Sequence, residues 1–175
     1  MGTEIVIRDA GFGDAPAIAK VSYLTWLHAY RGIIPDAELD ALNLESVTDK
    51  WVQILSLVSP KSGTLVAIYD GSLIAYSRFY PTLDSDDDRD MVATIGSIYV
   101  HPDFQHKGIG RELMRKILET VKGHGFTEAT LHVLAANETA RKFYEFLGWE
   151  RDLDAVIERS DEEAVPKVRY RRNHL

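Results

Sequence analysis

The apolar residues of this 175-residue chain change their spacing once, near residue 64, and that change confines the chain to few architectures. After an opening strand in "EIVIRDA", where Ile5 and Ile7 alternate with polar neighbours, the first third has helical spacing. Asp14 is placed to cap a helix with Pro16 in its first turn and Ile18, Val21 and Thr25 on one face. That helix should end at Gly32 and Pro35. Asp36 is expected to open a short second helix and Ser46 a third, with Val47, Trp51, Leu55 and Val58 on one face. From residue 64 the spacing becomes two. "TLVAIYDGSLIAYSRFYP" reads as two strands joined by Asp70-Gly71, a strong hairpin signal. A polar loop, "TLDSDDDRDM", leads to a strand in "VATIGSIYV". A helix follows, carrying Leu113, Met114, Ile117, Leu118 and Val121 and closed by "GHGF". "TEATLHVL" is a strand, Asn137 starts a helix that Gly148 stops, and "VPKVRYRRN" supplies a last strand. With no internal repeat and no long linker, the pattern is α+β in one domain spanning residues 1–175.

Between the strand "VATIGSIYV" and the next helix lies Gln105-His106-Lys107-Gly108-Ile109-Gly110. The first N–H groups of a helix lack partners and carry the positive end of its dipole, so such a turn suits anions, phosphates above all. Glycines let the backbone approach without Cβ atoms in the way, and Lys107 and Arg111 add charge. A nucleotide-hydrolysing loop would place its lysine after the glycines with a hydroxyl following, and neither is present. A dinucleotide fingerprint would need a glycine where Leu113 stands. The plain alternative is that the glycines only cap a turn.

Composition narrows the chemistry. A net charge of -7 argues against a general attraction to nucleic acid or anionic membrane and favours cationic substrates. The basic tail "KVRYRRNHL" is the one feature a nucleic acid could use, but its alternation is that of a strand with one wet face. Without cysteine there is no disulfide, no thiolate nucleophile and no Cys-ligated zinc. No apolar run approaches the ~20 residues of a membrane span, and the N-terminus has no apolar signal core. A cytoplasmic protein without metal is the expectation.

Taken together, Q-x-x-G-x-G after a strand ending in "YVHP", then a strand, then "NETARKFYEFLGW", resembles the GNAT superfamily of acyl-CoA N-acyltransferases. The resemblance covers most of the chain. It implies a mixed, mostly antiparallel central sheet splayed in the middle, flanked by helices on both faces, with acetyl-CoA in the split between two parallel strands. On that reading the pyrophosphate meets the backbone from Gln105 through His106, Lys107, Gly108 and Ile109 to Gly110, with Arg111 at the helix start. The strand Ile98-Tyr99-Val100 would pair with the pantetheine arm. Asn137 would contact the cosubstrate near the thioester, and Tyr144 would stand near the departing sulfur. A phenol with an ordinary pKa of about 10 is protonated at neutral pH and can donate to a thiolate. Read alone, Asn137 is a helix cap and Tyr144 a core residue on an apolar face.

The implied reaction is direct transfer of the acetyl group to a primary amine of a small molecule, polyamine or peptide. A lysine-like amine with a pKa of about 10.4 is neutral in about one molecule in 2,500 at pH 7, a cost of roughly 4.6 kcal/mol, so a base would help. Many members of the family have a glutamate on the strand before the glycine loop. Here the positions of matching parity are Thr94 and Gly96. Thr94 or Ser97 could hold a water, with Tyr30, His28 or a loop aspartate completing a relay, and a non-catalytic acyl-CoA-binding or sensing protein is the alternative. Trp26 and Tyr30 suit either an aromatic wall for an amine or the helix core. Asp84, Asp86, Asp87, Asp88 and Asp90 could gather a polyamine or basic peptide, form a solvated loop, or hold calcium weakly. The family includes many homodimers, so a second copy of the chain is a candidate partner.

Overall fold

A computed structural model describes residues 4–57, 59–155 and 165–175. Its strands are β1 (Val6–Asp9), β2 (Gly63–Tyr69), β3 (Ser72–Pro81), β4 (Val92–Val100), β5 (Glu128–Leu134), β6 (Glu150–Arg151) and β7 (Lys167–Arg172). The helices are α1 (Ala15–Ala29), α2 (Asp36–Asp40), α3 (Leu44–Ser56), α4 (Ile109–Gly123) and α5 (Glu138–Phe146). One sheet runs in the order β1-β2-β3-β4-β5-β7-β6, and each neighbouring pair is antiparallel except β4 with β5. This is the α+β architecture expected.

The hairpin signal is realised: Asp70 and Gly71 both take positive φ, 48° and 72°, as the tight turn between β2 and β3 requires. The amphipathic face of α4 buries Leu113, Met114, Ile117 and Val121 against Phe79, Ile95, Leu131 and Tyr170 on one side of the sheet. On the other side Ile18, Ala19 and Val21 of α1 pack with Trp51 of α3 on Val66 and Tyr76. Helices thus cover both faces.

Two helix starts differ from expectation. Asn43, not Ser46, caps α3: its side-chain oxygen accepts from the N–H of Glu45 at 2.8 Å and of Ser46 at 3.3 Å. Asn is as good a cap as Ser, and the earlier of two candidates gains the extra turn. Asp14 stands before α1, but its carboxylate turns back to the Gly11 N–H at 2.7 Å and to Arg8 at 2.7 Å. Val58 lies outside the described residues. The two-residue β6 was too short for any periodicity to announce.

The feature that makes the site is where β4 and β5 part. They pair only through Val92–Thr94 with Glu128–Thr130, the last rung marked by the Thr94 and Thr130 hydroxyls at 3.2 Å. Beyond it β4 follows β3, and β5 follows β7. The register of β3 with β4 shifts between Ile95 and Ser97, which leaves Gly96 as an extra residue. Such a bulge bends a strand and increases its twist, turning β4 away from β5.

Candidate active site

The parting strands open a cleft of about 1800 Å³, walled by Ile95 to Val100 of β4, His132 to Leu134 of β5, the end of α1, the glycine loop and the inner face of α5. Nearly every residue singled out from the sequence lines it: Trp26, Tyr30, Thr94, Ile98, Tyr99, Val100, Gln105, His106, Gly108, Ile109, Gly110, Arg111, Asn137 and Tyr144. Lys107 does not. Its ammonium donates to the Asp103 carbonyl at 3.0 Å and lies over the Phe104 ring.

From His106 to Arg111 the backbone N–H groups have no protein acceptor among the described residues; the first bond of α4 runs from Glu112 N–H to the Gly108 carbonyl. Gly108 precedes the helix with φ 80°, a left-handed conformation that favours glycine, and a Cβ there would meet nothing within 4 Å. Gly110 is bare for a different reason. A Cβ there would come 3.3 Å from Phe143 and 3.7 Å from Val100, so the residue lets α4 close against α5 and β4. Gln105 ties the loop back, its side-chain amide donating to the Val100 carbonyl at 3.1 Å. The result is a run of six unsatisfied donors at the mouth of the cleft, with the helix dipole behind them.

Asn137 caps α5, accepting from the Ala140 N–H at 3.1 Å, and also lines the cleft, so the two readings of it coexist. Half-buried Tyr144 packs between Phe143, Trp149 and Tyr170. Burial raises its pKa well beyond the ordinary phenol value. Its hydroxyl has no hydrogen-bond partner among the described residues. It is a protonated donor with its valence open.

On the α1 side, Trp26 and Tyr30 meet edge to face at 5.0 Å, and the Tyr30 and Tyr99 hydroxyls are 3.1 Å apart. Desolvation raises both phenols, so neither serves as a base near neutrality. Thr94 is buried against Thr130. His28 lines the cleft but is exposed.

The acidic loop is where the sequence reading needs correcting. Arg169 of β7 is only 2% exposed and forms ion pairs with Asp84, Asp86, Asp87 and Asp152. Arg171 pairs with Asp87, Asp152 and Glu128, and Asp90 with Lys61. Three of the carboxylates expected to attract a polycation or calcium, Asp84, Asp86 and Asp87, therefore hold the loop to the sheet. Much of the tail's basic charge is consumed by the same contacts.

The empty position on β4 also has an explanation. A Cβ on Gly96 would lie 2.4 Å from Cε1 and 2.8 Å from the hydroxyl of Tyr80, which fills the space a longer side chain would need. Gly96→Ala is expected to cost about 1–3 kcal/mol by overpacking. In a Tyr80→Ala background the cost should vanish; urea unfolding of the four proteins measures it, and an unchanged penalty would show that Tyr80 is not the obstacle.

A mixed sheet opened between its two parallel strands, with a glycine loop at the mouth of the opening, is the architecture of the acyl-CoA-dependent N-acyltransferases. The profile of the acetyltransferase (GNAT) family matches residues 25–149, and the chain belongs to that family. It is an acyltransferase. The chain is 29% identical over 138 residues to an uncharacterized N-acetyltransferase, YuaI, of Bacillus subtilis, covering 76% of this chain and 73% of the relative. It is 37% identical over 68 residues to the ribosomal protein bS18 alanine N-acetyltransferase of Salmonella typhimurium, covering 39% and 44%. The fold matches the PaiA N-acetyltransferase of Thermoplasma acidophilum in complex with coenzyme A, with TM-score 0.73 at 20% identity over 98% of this chain and 99% of that one.

His132 and Tyr80 escaped the sequence reading. Both sit on strands, where alternation marks a face but not which neighbour will stand beside it. Among the described residues no helix is long and apolar enough to cross a membrane.

Proposed function

We propose that the protein transfers the acetyl group of acetyl-CoA directly to a primary amine held on the α1 side of the split. The observation that carries this reading is the run of six unpaired amides, His106 to Arg111, at the mouth of a cleft whose far wall presents the free Tyr144 hydroxyl. Those amides, with Arg111 beside them, suit the pyrophosphate of a CoA ester. Beyond Thr94 the inner edge of β4 pairs with no strand; Gln105 and Thr25 donate to the Val100 carbonyl, and the remaining edge at Ile98 and Val100 suits the amide-bearing arm as an added strand would. Asn137 stands over the same wall. Tyr144 is the general acid: as the C–S bond breaks, its O–H donates to the departing sulfur. Trp26 and Tyr30 form the amine side, where ring faces attract a cation and exclude water.

Calorimetric titration of the full chain with acetyl-CoA tests the first step. Gly108→Val places a branched side chain in the open space over the amides and strains a left-handed backbone, so affinity is expected to fall by tenfold or more. Far-UV circular dichroism of the variant checks that it is folded. A folded wild type that does not bind acetyl-CoA ends the reading.

A further inference from the structure

Where β4 offers no carboxylate, the opposite wall of the split offers a histidine. His132 of β5 lines the cleft with its side chain 24% exposed, and its Nε2 stands 3.4 Å from Oδ2 of Asp84. On β5, Ala129, Leu131 and Val133 join the core under α4, so His132 and Thr130 face the α1 side. That is the face on which Thr94 and Tyr80 also stand, across the split from the glycine-loop amides.

Asp84 is held in place independently of His132. Its backbone N–H donates to the Thr82 hydroxyl at 3.2 Å, and its Oδ2 accepts from Arg169 at 3.2 Å. Arg169 lies directly opposite His132 in the β5–β7 register, so the arginine that gathers the acidic loop also fixes the carboxylate beside the imidazole. A carboxylate facing Nε2 favours the tautomer with the proton on that nitrogen, which leaves the lone pair on Nδ1 to accept.

We propose that His132, with Asp84 as its positioning residue, is the base that takes the proton from the acceptor amine. The proposal rests on the acetyl-transfer reading of the same cleft. Nδ1 of His132 takes a proton from the bound ammonium, and the lone pair this frees forms the bond to the thioester carbonyl carbon. The C–S bond then breaks, the sulfur takes a proton from the Tyr144 hydroxyl, and the tyrosinate takes the surplus proton from the new amide nitrogen.

The surroundings keep the imidazole ready to accept. Burial lowers its pKa below the ordinary histidine value; Asp84 and Asp86 of the loop raise it, Arg169 and Lys167 of β7 lower it, and the net shift is downward. His132 is therefore mostly neutral at pH 7.

The test is the pH dependence of kcat/KM for CoA release from acetyl-CoA, with a peptide bearing a free N-terminal alanine and, separately, with spermidine. For the wild type the acid limb should lie below the ordinary histidine pKa of about 6.5. His132→Gln should lower kcat/KM for the peptide at pH 7 by tenfold or more. Its acid limb should move up toward the pKa of the peptide amine, near 8, because only the neutral amine can then react. Acetyl-CoA affinity should stay within twofold. Asp84→Asn should move the limb further down, since a raising charge is removed. A His132→Gln enzyme with the wild-type limb and a rate within twofold overturns the proposal while leaving the transfer reading intact. A wild type that binds acetyl-CoA but acetylates neither amine overturns the transfer reading, and the proposal with it.

Discussion

Tyr144→Phe is expected to lower kcat for acetyl transfer by about 100-fold while acetyl-CoA affinity stays within twofold, the lower range for loss of a positioned acid. The substitution removes one oxygen from a ring that packs against Phe143, Trp149 and Tyr170, so the wall of the cleft keeps its shape. What is lost is the only function that oxygen has among the described residues, because it donates to no protein group. A thiolate leaving without a proton must be stabilised by water, which the aromatic wall excludes. The effect should fall on kcat and not on KM for acetyl-CoA, since the sulfur needs the proton only as the bond breaks. The acetyl thioester of a CoA analogue whose thiol is more acidic should recover part of the loss. Stopped-flow measurement of CoA release checks this, and a turnover unchanged from wild type would remove Tyr144 from the acid role.

Arg169→Met is expected to destabilise the fold by about 3–5 kcal/mol, the range for removing one member of a buried ionic group. The guanidinium is the shared partner of Asp84, Asp86, Asp87 and Asp152, and without it those carboxylates face one another with less compensating charge. Methionine matches much of the volume, so the loss reports charge and hydrogen bonding more than packing. Urea unfolding measures it, and a loss below about 1 kcal/mol would mean that the carboxylates find water when the arginine leaves. The same cluster should respond to acid. Burial alone would raise the pKa of Asp152, but hydrogen bonds from Arg171 and Arg169 outweigh it and hold the group below its ordinary value. A depressed carboxylate contributes stability above its unfolded pKa, near 3.9, and that contribution is lost as pH falls through the folded value. Acid unfolding should therefore become less steep in Arg169→Met below about pH 4.

The order of elements was legible because period, turn chemistry and caps act within a few residues of sequence. The Asp70-Gly71 turn, the apolar face of α4 and the glycine start of α4 all belong to that class, and each appears where the sequence puts it. The cleft wall proposed for the cosubstrate was legible for the same reason: Gln105 to Arg111 and Asn137 to Tyr144 are contiguous motifs, and most of their singled-out residues line one cleft. The acceptor side was not. His132 meets Asp84 across 48 residues of sequence, and Tyr80 fills the space above Gly96 only because β3 and β4 pair with a bulge. The acidic run was misread for a related reason: charge in a loop looks solvated until its partners on β7 are known.

Among the described residues, the two halves of this sheet are joined by backbone hydrogen bonds at one end of the split, in the three β4–β5 rungs and the adjoining bonds from Thr127 and Glu128 to the Met91 carbonyl. Beyond them strand pairing between the halves stops, and the walls are held by α4 packed under both and by the ion pairs of Arg169 and Arg171 with the loop at residues 84–87. A ligand chain lying in the opening and bridging both walls is then a strut as well as a reactant, because it replaces missing rungs. On the proposed acetyl-transfer reading, acetyl-CoA would add to the cohesion of the two halves, and the stability of the fold should rise with its concentration.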